Sequence, residues 1–257
     1  MEYIVICLVA LIGSGLTLFS GFGLGTLLVP VFGLFFPIPI AIALTAIVHF
    51  LNNIFKLFLV GKHVDKQVIY RFGLPSILAA FIGAYVLSLI SDMDPLYSYP
   101  LMGKEMVIMP VKLVIGLLLM FFALFDLIPA LANLQFDKKY LPLGGLLSGF
   151  FGGLSGNQGA LRSAFLIRAN LSKEAYIATG VVIACMIDIS RLSVYSKQIF
   201  ASYEHFNYSL IIAATLSAFI GAYVGNKLLK KITVKALQVI VAIMLFIFAI
   251  LLMAGFI

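Results

Sequence analysis

Two long apolar stretches, each interrupted by glycines, constrain the fold of this chain most strongly. The first covers residues 3–36, with glycines at 21, 23 and 25, and the second covers residues 141–167, with glycines at 149, 152, 153, 156 and 159. A single membrane-spanning helix needs about 20 apolar residues, so the 34 residues of the first stretch are too many for one span and few for two. Unwound backbone within a membrane persists only where protein buries it or where it lines a cavity. Each stretch is therefore expected to be a broken helix next to a binding site.

The composition indicates an integral membrane protein. Hydrophobic residues make up 63% of the 257 residues and charged residues 11%, whereas a soluble domain has about 25% charged residues. No part of the chain is polar enough to form a large soluble domain. The formal net charge of +7 is assigned to cytoplasmic loops, and no nucleic-acid partner is expected.

The remaining apolar segments predict further helices separated by polar loops. They cover residues 41–60, 69–91, 107–132, 174–195, 207–229 and 234–257. With the two broken stretches, the chain has 8 to 10 membrane helices in a single transmembrane domain, residues 1–257.

The sequence also contains two copies of one plan. The segment Ala80–Val86 recurs unchanged as Ala218–Val224, which is seven identical residues in a row. Polar and glycine positions repeat in the same order, 134 or 135 residues apart: Gly25 with Gly159, Thr45 with Thr179, Asn53 with Asp188, Lys56 with Arg191, and Lys62 with Lys197. These matches predict internal repeats over residues 1–133 and 134–257.

Loop charges distinguish two topologies for the broken stretches. If each stretch is one span, six basic loop residues lie on one side and eight on the other, which gives no orientation. If each stretch enters and returns as a hairpin, eleven lie on one side and only Lys104, Lys112 and Lys197 on the other. The second pattern fits the rule that basic loops stay inside, so both termini are expected outside the cell membrane. The predicted fold is an all-α integral membrane protein with two inverted repeats, each a glycine-broken helical hairpin plus three transmembrane helices.

The breaks are the candidate substrate site. A helix that starts just after a break offers free N–H groups and the positive end of its dipole, which together favour an oxyanion. Arg162 follows the second break and adds a positive charge. The candidate substrate-binding residues are Ser20, Gly21, Gly23, Gly25, Thr26, Ser155, Gly156, Asn157, Gln158, Gly159 and Arg162.

Polar residues within the predicted spans form a second candidate set for coupling or gating. They are His49, Asn53, Lys56, Asp188 and Arg191. Each also has a structural interpretation: hydrogen bonds between helices for His49 and Asn53, a side chain reaching the membrane surface for Lys56, and a helix-surface ion pair for Asp188 with Arg191. A histidine within the membrane is also able to carry protons, since its ordinary pKa lies near neutral. No catalytic residue, metal ligand or cofactor is predicted.

The two broken segments resemble the sulfite exporter TauE/SafE family of membrane transporters. The residues that carry the resemblance are Ser20–Pro30 in the first half and Gly153–Ser163 in the second. The family typically has consecutive glycines at these places, whereas this chain spreads them or has Asn157 and Gln158 instead. The resemblance implies secondary transport of sulfite, sulfonates, thiosulfate or similar small anions.

The expected function is therefore transport of small anions by alternating access, and the protein is not expected to be an enzyme. A passive anion channel and a transporter of small carboxylates remain alternatives. The expected partners are a small anionic substrate and the lipid bilayer. Protons or another ion as the coupling partner, the direction of transport and the oligomeric state stay open.

Overall fold

Helices account for nearly all of the regular structure in the chain. The computed structural model describes residues 1–20, 23–101, 103–201, 207–228 and 234–257. The first half contains seven helices: α1 Glu2–Ser20, α2 Leu24–Gly33, α3 Ile38–Val60, α4 Lys66–Val68, α5 Leu74–Ser91, α6 Pro110–Leu127 and α7 Pro129–Ala132. The second half contains five more: α8 Leu141–Ser155, α9 Gly159–Leu166, α10 Lys173–Ala201, α11 Tyr208–Leu228 and α12 Val234–Met253.

Within the described ranges, five helical segments are long and apolar enough to cross a membrane. They are Ile38–His63, Lys66–Ser91, Pro110–Leu127, Lys173–Ser196 and Tyr208–Lys227. The second of these joins α4 to α5 through a π-helical turn, Ile69–Gly73. Many large apolar side chains point outward from these helices, among them Phe58, Leu78 and Ile212, which are 83%, 66% and 60% exposed. Such a surface suits a hydrocarbon environment, so the chain is a multi-pass membrane protein.

Both broken stretches fold back on themselves as hairpins. In the first, Ile6 and Ala10 of α1 belong to one buried cluster with Leu28 and Phe32 of α2, while Gly13 lies beside Leu24 and Leu27. Positions early in α1 thus meet positions late in α2, which makes the two helices antiparallel. In the second hairpin, Gly144 near the start of α8 lies against Phe165 near the end of α9. With 10 and 8 residues, α2 and α9 are about 15 and 12 Å long, which is about half of the hydrocarbon thickness.

Each hairpin packs against a helix from the other half of the chain. Helix α8 lies along α5, and its small residues Gly145, Gly149 and Gly153 face the backbone of Phe72, Ser76 and Ala80. Spaced four residues apart, these glycines form a continuous stripe that lets the two backbones approach closely.

The first hairpin repeats this arrangement. Helix α1 lies along α11, where Gly221 faces the Leu11 carbonyl group and Gly225 faces Gly15. Helices α3 and α10 cross between the two hairpins, and α6 packs on α12. Among the described residues, the four most extensive helix contacts each join a helix of the first half of the chain to a helix of the second half.

Two features of the fold differ from the sequence-based expectation. The loop after α5 contains an antiparallel hairpin, β1 Tyr97–Leu101 paired with β2 Lys104–Ile108, where an irregular polar loop was predicted. The predicted helix over residues 107–132 was also wrong in extent, because α6 covers Pro110–Leu127 and a separate turn of helix, α7, follows Pro129. Proline lacks the backbone N–H that a continuing helix requires.

Candidate functional site

The candidate site lies where α3 and α10 cross. His49 is the middle residue of α3, with eleven residues of that helix on either side, and Asp188 is close to the middle of α10. Asp188 and Arg191 have no exposed surface, and His49, Asn53 and Lys56 are at most 4% exposed. Charged side chains this deep in a membrane protein are costly to bury and commonly mark a substrate or ion pathway.

Asp188 connects the two crossing helices. Its Oδ2 atom lies 2.7 Å from His49 Nδ1 and accepts a hydrogen bond from Asn53 Nδ2 at 3.4 Å. Its Oδ1 atom accepts from Arg191 Nε at 3.0 Å and lies 2.8 Å from Arg191 Nη2. Both carboxylate oxygens are thus used by positively charged or hydrogen-bonding partners. A buried carboxylate needs such partners, because burial of a charge is costly unless the charge is paired and hydrogen-bonded.

Arg191 extends from Asp188 to the second glycine break. Its Nη1 atom lies 2.9 Å from the position that a Cβ atom would take on Gly156. Gly156 adopts a left-handed conformation, φ +78, which ends α8 and which residues with a side chain rarely take. Glycine is required here for its backbone conformation and because a side chain would collide with the guanidinium group.

A cavity of about 40 Å³ opens beside this crossing. We call it the central cavity. Its polar and charged lining residues are Thr17, His49, Asn53, Lys56, Arg162 and Tyr176, and its small or apolar ones include Gly23, Leu24 and Gly180. It extends from His49, at the centre of the structure, to the partly exposed Tyr176 at the start of α10.

Lys56 and Arg162 bring two basic side chains to the central cavity. When the Asn52 amide is oriented so that both of its atoms are satisfied, its oxygen accepts from Lys56 Nζ at 3.3 Å. Arg162 Nη1 donates to Gln158 Oε1 at 3.4 Å, and its Nε atom lies 3.5 Å from the Cβ position of Gly180. The absence of a side chain on Gly180 leaves room for the arginine to lie along α10.

The start of α2 forms another wall of the central cavity. Gly23 is the N-cap of α2, in extended conformation, and no side chain caps the helix. Gly23 and Leu24 both line the cavity, and His49 Nε2 lies 3.3 Å from the Cβ position of Gly23. The first N–H groups of a helix lack partners within it, so the positive end of the α2 dipole adds to the charges of Lys56 and Arg162.

The two breaks contact one another directly. The Cβ position of Gly25 lies 3.1 Å from the Gly156 carbonyl oxygen and 3.7 Å from Thr45 Cγ2. The space available to a ligand therefore lies beside Gly23, next to α3 and α10, whereas Gly25 packs against the second break. This arrangement explains the need for glycine at position 25 through helix packing.

A second, smaller cavity lies on another side of the breaks. Its volume is about 10 Å³, and its lining residues are Thr26, Phe122, Asp126, Asn157, Gly159 and Ala160. Asn157 is 2% exposed, and neither atom of its amide group has a hydrogen-bond partner among the described residues. The sequence-based candidates therefore divide between two cavities.

The structure can be compared with each candidate set. It brings Gly23, Arg162, His49, Asn53 and Lys56 to the central cavity, and Thr26, Asn157 and Gly159 to the second cavity. Gly21 and the Ser20 side chain lie outside the described residues. Ser155 donates to the Phe151 carbonyl oxygen within α8, and Gln158 holds Arg162.

Sequence reasoning missed several lining residues, among them Tyr176 and Gly180. Both lie on α10, towards the helix end at which the cavity reaches the surface. Gly180 follows Thr179, which the internal offset had already paired with Thr45. Extending that comparison by one residue would have drawn attention to a glycine facing the core.

The charge of the buried region favours an anion. Among the described residues, the buried basic side chains, besides His49, are Lys56, Arg162 and Arg191, and the buried carboxylate is that of Asp188. Basic groups thus outnumber acidic groups in this region. A bound anion would offset positive charge that is otherwise costly to bury.

A membrane protein with paired broken hairpins around a buried, charged cavity has the architecture of a secondary transporter. The chain belongs to the sulfite exporter TauE/SafE family, whose model matches residues 6–252. Comparison with curated proteins found no match. Membership in a transporter family agrees with the membrane-spanning helices and the central cavity.

Proposed function

We propose that this protein is a secondary transporter that moves small sulfur-containing oxyanions or organosulfonates across the cytoplasmic membrane by alternating access. The central cavity carries the proposal, because Lys56, Arg162 and the start of α2 all present positive charge to one space. Membership in the sulfite exporter family supports the class of substrate. Candidate substrates are sulfite, sulfonates and thiosulfate.

Alternating access is supported by the way in which helices of the first half of the chain pack on helices of the second half. Helix α1 packs on α11 and α8 packs on α5, while α3 crosses α10 and α6 packs on α12. This is the pattern that two inverted repeats, residues 1–133 and 134–257, would give. In such proteins, one group of helices moves against the other around a fixed site near the middle of the membrane.

The transport activity is tested by flux into liposomes that contain the purified protein. The probes are radiolabelled thiosulfate and methanesulfonate, with acetate as a carboxylate of similar size. We expect thiosulfate or methanesulfonate to exchange across the membrane and to accumulate when a gradient of a coupling ion is imposed. Flux that never exceeds equilibration would instead indicate a passive channel, and preference for acetate would indicate a carboxylate transporter.

The anion site is tested by Lys56→Gln and Arg162→Gln. Each substitution removes one positive charge from the central cavity, and a hydrogen bond to a charged group contributes about 1.5–3 kcal/mol. We therefore expect each variant to bind thiosulfate about 10- to 100-fold more weakly in calorimetry on purified protein.

The matched control is Lys62→Gln, which removes the same charge from an exposed side chain just beyond α3. Its affinity for thiosulfate should equal that of the unmodified protein. Unchanged affinity in both cavity variants would show that the anion binds elsewhere.

A further inference from the structure

We propose that His49 takes up a proton when an anion enters the central cavity, so that anion and proton move together. This inference rests on the proposed anion site and adds the coupling ion and the residue that carries it. The proton arrives from bulk solvent as hydronium, which is left as water when the new N–H bond forms at Nε2. No other reactant is needed for this step.

The orientation of the His49 ring supports this assignment. Asp188 Oδ2, 2.7 Å away, is a hydrogen-bond acceptor and therefore fixes the proton of the neutral ring on Nδ1. The Nε2 atom is then the acceptor, and it lies 3.3 Å from Asn53 Nδ2 and on the side of Gly23 and the start of α2. Both His49 and Gly23 line the central cavity. The protonatable atom of the ring thus faces the space assigned to the substrate.

The charged groups around His49 make its protonation dependent on an anion. Helix α10 presents Asp188, Arg191 and Tyr176 to this region, α9 presents Arg162, and α3 itself presents Lys56. Helix α2 contributes Gly23 and Leu24, α1 contributes Thr17, and none of the described residues of α5, α6 or α11 lines the cavity. A proton on His49 adds a positive charge to a region that already holds three other basic side chains and one carboxylate among its described residues.

An anion in the central cavity makes protonation of His49 more favourable. Its negative charge offsets the added proton, and Asp188 stabilises the imidazolium ring from the opposite side. Because binding energies are reciprocal, an anion that favours protonation of His49 binds more tightly to the protonated form. A proton gradient would then drive anion movement in the direction of proton flow.

Proton uptake can be counted by calorimetry of thiosulfate binding in buffers with different ionisation enthalpies. Thiosulfate stays fully ionised between about pH 6 and pH 8, the range in which histidine changes its charge, so any counted proton goes to the protein. We expect uptake of up to about one proton per anion and an affinity that falls by up to about tenfold per pH unit as the pH rises.

The variant His49→Gln keeps a polar side chain of similar length without a titrating group. We expect it to bind thiosulfate with little or no proton uptake and with an affinity that no longer depends on pH. The control His63→Gln makes the same change at an exposed histidine and should retain the uptake of the unmodified protein.

Three outcomes would overturn the inference. They are thiosulfate binding by the unmodified protein without proton uptake, equal uptake in the His49→Gln protein, and loss of uptake in the His63→Gln protein. The first requires no variant, so the inference remains testable even if His49→Gln does not fold. If thiosulfate and methanesulfonate both fail to bind to the unmodified protein, the proposed anion site itself is wrong.

Discussion

At the scale of single residues, Asp188 joins the two crossing helices through contacts with three buried side chains. It contacts His49 and Asn53 on α3 and Arg191 on its own helix, and none of its surface is exposed. Removal of one partner of a buried charge pair leaves the other charge without compensation, which typically costs about 3–5 kcal/mol. The stability of the crossing between α3 and α10 should therefore depend strongly on this carboxylate.

We expect Asp188→Asn to lower the thermal unfolding temperature in detergent markedly, because Arg191 loses its counter-charge. The double variant Asp188→Asn with Arg191→Gln should recover part of that loss, since no lone charge remains. A double-mutant cycle gives the coupling energy of the pair, expected to exceed about 1 kcal/mol. The exposed Asp94→Asn serves as the control and should unfold with the unmodified protein. Additive effects of the two substitutions would contradict a mutual dependence.

Part of this residue cluster could be predicted from sequence. The shared offset of 135 residues relates Asn53 to Asp188 and Lys56 to Arg191, and all four side chains are buried. The ion pair between His49 and Asp188 could not be predicted, because the two residues are 139 positions apart and no sequence pattern links them. Their contact depends on how α3 crosses α10.

At the scale of elements, the glycine stripe on α8 sets the distance between α8 and α5. A Cβ atom on Gly149 would lie 2.6 Å from Ser76 Cα, closer than non-bonded carbon atoms approach. The backbones would have to move apart, and overpacking of this kind costs about 1–3 kcal/mol.

We accordingly expect Gly149→Ala to lower the free energy of unfolding by that amount, measured by thermal unfolding in detergent. The matched control is Gly61→Ala, where the nearest atom to the added Cβ, on Leu57, is 3.8 Å away and the backbone has φ −66. Its stability should stay within about 0.5 kcal/mol of the unmodified protein. Equal stability of the two variants would show that α8 and α5 separate without cost.

The elements differ in how well their sequences predict them. Long apolar runs predict the helices. A helix of about 20 apolar residues is long enough to span a bilayer, and it pairs its backbone N–H and C=O groups internally. The strands Tyr97–Leu101 and Lys104–Ile108 were missed, because Pro95 and Pro100 indicate an irregular loop. Proline is tolerated at position 100 because both strands of a two-stranded sheet are edges.

At the scale of the whole molecule, hydrogen bonds indicate which loops and helix ends lie close together. At one end, Lys138 Nζ donates to Gln67 Oε1 at 3.1 Å, and the backbone N–H of Asp65 donates to Thr179 on α10. At the other, Tyr3 bonds Asn207 at 2.8 Å, and Tyr99 donates to the Ala254 carbonyl group. This grouping agrees with the hairpin form of the broken stretches, and the loop charges favour the first end as cytoplasmic.

Orientation is tested by labelling single cysteines in intact cells, after Cys7 and Cys185 have been replaced by alanine. We expect Lys62→Cys and Glu174→Cys to resist a membrane-impermeant reagent, and Glu105→Cys to react with it. All three side chains are exposed, so a difference in labelling reports the side of the membrane. Reaction of Glu174→Cys but not Lys62→Cys would place these positions on opposite sides and contradict the hairpin topology.

The packing of helices from one half of the chain on helices of the other half has a consequence for synthesis in the cell. When the first half has entered the membrane, α1 and α5 have not yet met α11 and α8, whose backbones they contact through glycine. These small-residue faces stay exposed to lipid until residues 141–228 have been inserted. Each half alone therefore lacks its most extensive helix contacts, and we expect the central cavity, which residues of both halves line, to form only after α10 and α11 have been inserted.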